Sequence, residues 1–170
     1  MKKPYINFTL IAMFILFISC STTKEKPFEL PKNALSLIAH ESGKTWKLAW
    51  RYNNGTRMNM SGCFLSYRIT YKPDLSFKDN SEEHANCGAS LSGNWEITKD
   101  KKGYSFIKLT SAQLPELLKT KTNYKYFKIL QLTKDTLRIR FRHKQFSSES
   151  TFEDTLVAED IEVKDRDFHR

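Results

Sequence analysis

The chain has 170 residues with 28 Lys and Arg against 19 Asp and Glu, a formal charge of +9. That length fits one domain with a real core and leaves little room for a second. The basic balance alone would suit nucleic acid, anionic lipid head groups or acidic glycans, and the first twenty residues exclude nucleic acid as the natural partner.

Those residues start basic with Met1-Lys2-Lys3, and Leu10 to Ile18 contains no polar residue. Even the wider stretch from Tyr5 falls short of the ~20 residues that span a bilayer. This is the layout of a bacterial secretory signal peptide. Phe17-Ile18-Ser19-Cys20 resembles a lipobox, with Ser19 as the small residue before the cut and Cys20 as the lipid-bearing new N-terminus. Phe17 departs from the usual Leu. Residues 1–19 are thus expected to be a signal peptide, with a plain anchor helix as the alternative, and both place the remainder outside the cytoplasm. Residues 20–148 then carry 23 bases against 11 acids, and residues 149–170 carry 3 against 8. Of the three cysteines, Cys63 and Cys87 remain after Cys20 is used. In an oxidising compartment they are expected to pair, which stabilises such a fold by ~3–4 kcal/mol.

Ser21 to Pro27 reads as polar, and residues 20–30 are taken as a tether. A short helix is expected over Pro31–His40, where Leu35 and Ile38 share a face and Ser42-Gly43 ends it. From Lys44 the pattern is β. Thr45–Tyr52 alternates Trp46, Leu48 and Trp50 with Lys47 and Arg51, broken by Ala49. Arg68–Tyr71 and Leu75–Phe77 flank a Lys72-Pro73-Asp74 turn. Further strands are expected at Leu91–Thr98, Tyr104–Thr110, Tyr124–Thr133, Thr136–His143 and Thr151–Val157. Lys99–Gly103 and Lys134-Asp135 make hairpin loops, and Ser111–Asn123 holds room for one helical turn through Leu114, Leu117 and Leu118. About eight short antiparallel strands in sequence describe an all-β meander closed into a barrel or folded into a sandwich.

Several runs sharpen this. Ser42-Gly43-Lys44-Thr45-Trp46-Lys47-Leu48, then Cys63, the aromatic-flanked hairpin Ile69 to Phe77, then Cys87, then Ser92-Gly93-Asn94-Trp95, resembles the lipocalin-like domains of Bacteroidota lipoproteins. Tyr126 to Thr133 followed by Leu137-Arg138-Ile139 is similar to the closing hairpin of that family. The resemblance covers about 43–158. Two departures stand out: the hairpin turn lacks the usual glycine, and Met58-Asn59-Met60 with Phe64-Leu65 form an unplaced, insertion-like stretch. The resemblance implies an up-and-down antiparallel β-barrel closed at one end, able to hold one small apolar ligand. It also implies attachment on the periplasmic side of the outer membrane, because Ser21 to Lys26 lacks the acidic cluster of surface-exported relatives.

The barrel domain is therefore expected over 31–158, with 159–170 as a charged tail. Trp46 and Trp95 are the candidate barrel-lining residues, and the short chain favours an interior filled by its own side chains over a cavity. Arg138, Arg140 and Arg142 alternate with Leu137, Ile139 and Phe141, so they share one strand face. That face is read as solvent-facing, with an interior anion site as the alternative. His84, Cys87 and Glu82-Glu83 read as a polar loop rather than metal ligands. No catalytic motif is present, and His40, His84, His143 and His169 are scattered, so neither an enzyme nor a cofactor is expected. Two functions follow. The first is a lipid-anchored barrel that binds or carries a small apolar or amphipathic ligand. The second is a structural or assembly lipoprotein that holds an envelope protein partner through its outer face or acidic tail.

Overall fold

The computed structural model describes residues 25–145 and 148–167; residues 1–19, expected to be a signal peptide, Cys20 and His169 lie outside the described residues. A short helix, α1 (Ala34–Ala39), precedes the strands β1 (Lys44–Asn53), β2 (Thr56–Arg57), β3 (Arg68–Tyr71), β4 (Ser76–Asp79), β5 (Ser92–Lys99), β6 (Ser105–Thr110), β7 (Tyr124–Leu132), β8 (Thr136–Gln145) and β9 (Ser148–Ala158). Single-turn helices α2 (Cys63–Ser66) and α3 (Leu114–Leu117) lie in the loops before β3 and β7. From β3 to β9 each strand pairs with the next, and β1 pairs with both β3 and β9. Eight antiparallel strands therefore close on themselves, leaving no open edge in the ring. β2 is a two-residue return against the far end of β1.

Alternation builds most of the interior. On β6, Ser105, Ile107 and Leu109 are buried, while Phe106, Lys108 and Thr110 alternate with them. β1 departs from strict alternation. Its register against β9 shifts between Leu48, paired with Leu156, and Trp50, paired with Thr155, so buried Ala49 is the extra residue of a bulge. Trp46 and Leu48 point inward as expected. Beyond the bulge Trp50 joins Tyr52 on the outer face, and Arg51 and Asn53 enter the interior.

One end of the barrel is stoppered. Ile38 of α1 is fully buried, and its carbonyl accepts the indole N–H of Trp46 at 2.9 Å. The Lys44 ammonium sits 4.0 Å from the Trp46 ring centre and donates to the Leu37 carbonyl at 3.1 Å and to that of Lys134. Trp95 packs edge-on against Tyr71 at 5.3 Å and donates its indole N–H to the Lys72 carbonyl at 3.2 Å. Gly93 has a structural reason: a Cβ there would lie 2.1 Å from the Thr110 carbonyl oxygen on β6. Only glycine lets β5 cross that close before Trp95 turns into the core.

The hairpin without glycine is built differently from a standard tight turn. The Asp74 carboxylate accepts the backbone N–H and hydroxyl of Ser76, at 2.9 and 2.6 Å, and Leu75 takes a left-handed φ of 64°.

Two boundaries need correction. Residues 25–30 are not a free tether: Phe28 and Leu30 pack on the core, and Glu25 accepts from Lys128 and Arg140 at 2.8 Å each. Two apolar side chains in an otherwise polar run suffice to dock it. Residues 159–167 are not a free tail either. Glu159 pairs with Arg68, and the Arg166 guanidinium donates to the carbonyls of Leu48, Phe64 and Leu65.

Candidate functional site

The opposite end of the barrel is hollow. A half-enclosed cavity of about 430 Å³ opens there, within the range of small-molecule sites. The expectation of a filled interior thus holds only for the stoppered half. Trp46 and Trp95 fill that half and are not among the residues that line the cavity.

Its walls are mainly apolar: Ile69, Leu109, Phe127, Ile139, Phe141, Phe152 and Leu156 project from five strands. Phe141 stacks on Phe152 at 5.5 Å and meets Phe127 edge-on at 5.0 Å. The stretch without a place in the sequence reading forms part of the rim, where Met58 and Phe64 line the opening while Met60 is fully buried. Cys63 of α2 and Cys87 also lie on the rim and are disulfide-bonded, with Cα atoms 5.4 Å apart. The bond fastens the loop before β3 to the loop before β5 across the cavity mouth. Cys87 is therefore committed, and among the described residues no group of acids, histidines and cysteines could hold a metal ion.

Charged groups sit among these apolar walls. The Arg51 guanidinium donates twice to Asp154, at 2.7 and 2.6 Å, and lies 4.8 Å from the Phe64 ring centre. Burial opposes its charge, but the Asp154 carboxylate outweighs this and raises the guanidinium pKa above its usual value. Lys125 enters from β7, and among the described residues no acid forms an ion pair with it. Its ammonium lies 4.5 Å from the Phe141 ring centre and 5.3 Å from that of Phe127. Burial pushes the Lys125 pKa down to about 8; Arg51 adds to the effect and Asp154 opposes it. His143 is held below its usual value by burial and by the Lys125 and Arg51 cations. The phenol of Tyr67 is pushed well up, mainly by burial. The Asn53 side-chain oxygen is buried on this wall without a hydrogen-bond partner.

Arg138, Arg140 and Arg142 lie on the outside of the barrel, so the interior anion site considered for them is not formed. Arg140 is held between Glu153 and Glu25 at 2.8 Å each, Arg138 reaches Glu153 at 3.6 Å, and Arg142 reaches Glu149 at 3.5 Å. The inward positions on β8 are Leu137, Ile139, Phe141 and His143.

A closed eight-stranded meander with a plugged base and a half-enclosed, mainly apolar cavity at its other end defines a small calyx-like barrel. The family model of the lipocalin-like domain matches residues 43–139, more than half of the sequence, and the chain belongs to that family. No curated protein and no solved structure matches it.

Sequence reasoning missed Arg51, Lys125 and Asp154 as site residues. Lys125 was within reach, since Lys125, Phe127 and Ile129 share parity on β7. Arg51 was not, because the bulge at Ala49 reverses the face that alternation assigns to it.

Proposed function

We propose that this protein is a lipid-anchored envelope lipoprotein whose barrel binds or carries one small apolar or amphipathic molecule without transforming it. The half-enclosed cavity of about 430 Å³ carries this reading, because a volume of that size among aromatic and aliphatic side chains favours an apolar guest. The acid on its wall, Asp154, is bound by Arg51, which supports a binding role over a catalytic one. The alternative, an assembly lipoprotein, loses part of its motivation because residues 159–167 of the acidic tail pack on the barrel.

Anchoring rests on the run from Met1 to Cys20. A diacyl chain on Cys20 contributes ~0.8 kcal/mol per buried CH₂, and on this proposal it holds the domain at the periplasmic face of the outer membrane. Protein purified from membranes, extracted with organic solvent and analysed by mass spectrometry, is expected to release a small apolar or amphipathic molecule in near-stoichiometric amount. Metabolic fatty-acid labelling is expected for the wild type and lost in Cys20→Ala. An unlabelled wild type would refute the anchor. An empty extract from a protein that also binds no added amphiphile would refute the carrier role.

A further inference from the structure

The cavity wall holds more positive than negative charge, and the excess lies at one residue. Arg51 and Asp154 neutralise each other through two short bonds. His143 is held toward its neutral form by burial and the neighbouring cations, and Tyr67 retains its proton. Lys125 is left over. Its stem lies among apolar side chains and its ammonium faces ring surfaces, which offset only part of the cost of taking a cation out of water. Nothing in the packing of β7 requires a cation here, since the neighbouring inward positions on that strand are Phe127 and Ile129. The Asn53 oxygen on the same wall is buried without a hydrogen-bond partner, and a half-turn of its amide would offer N–H donors to the same guest.

We propose that the cavity selects amphiphiles with a single carboxylate head, which pairs with the Lys125 ammonium while the apolar tail lies against Phe127, Phe141, Phe152 and Leu156. The inference rests on the cavity being a binding site and specifies what it binds. One unpaired cation matches one negative charge, and the bonded Arg51–Asp154 pair leaves no free acid to receive a cationic head. The bound carboxylate would favour the charged form of Lys125. Affinity is therefore highest while the free protein keeps that proton and falls as pH rises through about 8. Arg51, Asp154, His143, Tyr67 and Tyr71, from β1, β9, β8, the residue before β3 and the end of β3, are the ionisable groups among the described residues that line the cavity with it.

Calorimetric titration of the delipidated full domain with decanoate, decanol and decyltrimethylammonium tests this. At pH 7, decanoate is expected to bind at least about tenfold more tightly than decanol, the value of one charge-assisted hydrogen bond, and the ammonium compound most weakly. Lys125→Met, which keeps the apolar stem, should remove the preference for decanoate while decanol still binds. Lys125→Arg should restore the preference and hold it at pH 9.5, where wild-type affinity for decanoate has dropped. Equal binding of decanoate and decanol, or an unchanged preference in Lys125→Met, would overturn the head-group assignment and leave the cavity reading standing. Failure of all three amphiphiles to bind would overturn both.

Discussion

The two ends of the barrel solve the same problem, a polar group among apolar side chains, in opposite ways. At the plugged end the large polar groups have partners built from the chain itself: the Trp46 and Trp95 indoles donate to carbonyls, and Lys44 donates to two more, with the buried Ser105 hydroxyl as the exception. At the open end Arg51 and Asp154 satisfy each other, but among the described residues no acid forms an ion pair with Lys125, and the buried Asn53 oxygen has no hydrogen-bond partner. The first arrangement is what a core needs to be rigid and specified. The second carries a free-energy cost that a guest can relieve. Stability and function are thus segregated along the barrel axis.

Substitutions at the two ends should therefore differ in kind. Trp46→Ala removes a fully buried indole and should cost about 3–5 kcal/mol by denaturant unfolding, while the folded fraction binds ligand normally. Asp154→Ala should cost about 3 kcal/mol by leaving Arg51 buried without its partner. Unlike the tryptophan, this loss should be largely recovered in the apolar double variant Arg51→Met, Asp154→Leu, because replacing both members of a buried pair avoids the desolvation cost. A double variant as unstable as the single would show that the pair is needed for more than mutual compensation.

Removing the disulfide by Cys63→Ser with Cys87→Ser should cost about 3 kcal/mol. Hydrogen exchange should locate the loosening in the loops before β3 and β5, with α1 and the first half of β1 still protected. Uniform loss of protection would erase the distinction between the ends.

Lys125 gives a pH signature with a definite sign. Its folded pKa of about 8 lies below the ordinary lysine value of 10.5, so the unfolded chain holds more protons between those values and stability rises with pH there. The gain should be on the order of 2 kcal/mol from pH 8 to pH 10, before ionisation of tyrosines in the unfolded chain opposes it. Urea unfolding across that range should show the rise in the wild type and not in Lys125→Met. The smallest effect belongs to the hairpin at the plugged end. Leu75→Gly relieves a left-handed leucine and should stabilise by about 1 kcal/mol, with no change in ligand binding.

The contrast between the ends also explains what could be read from the sequence. Strand positions were legible because one buried face imposes a period of two, and turns such as Lys72-Pro73-Asp74 punctuate it. The cysteine pair was legible from arithmetic. The Gly93-Asn94-Trp95 spacing was visible as a pattern, although its reason, the close passage of Thr110, needed three dimensions. The cavity was not legible, because a hollow depends on what fails to fill it. Phe28 and Leu30 were hidden in a run that otherwise reads as polar. Arg51 was assigned to the wrong face because one inserted residue, Ala49, inverts every side chain after it.

The central claim is that the open half is a hollow binding site and the plugged half is not. Fluorescence titration with N-phenyl-1-naphthylamine, a neutral apolar probe, tests it most directly when the wild type is compared with Leu109→Trp, which fills the cavity wall, each checked for folding by circular dichroism. The expected result is saturable, single-site enhancement in the wild type and its loss in folded Leu109→Trp. No enhancement in the wild type, or equal enhancement in both, would contradict the account.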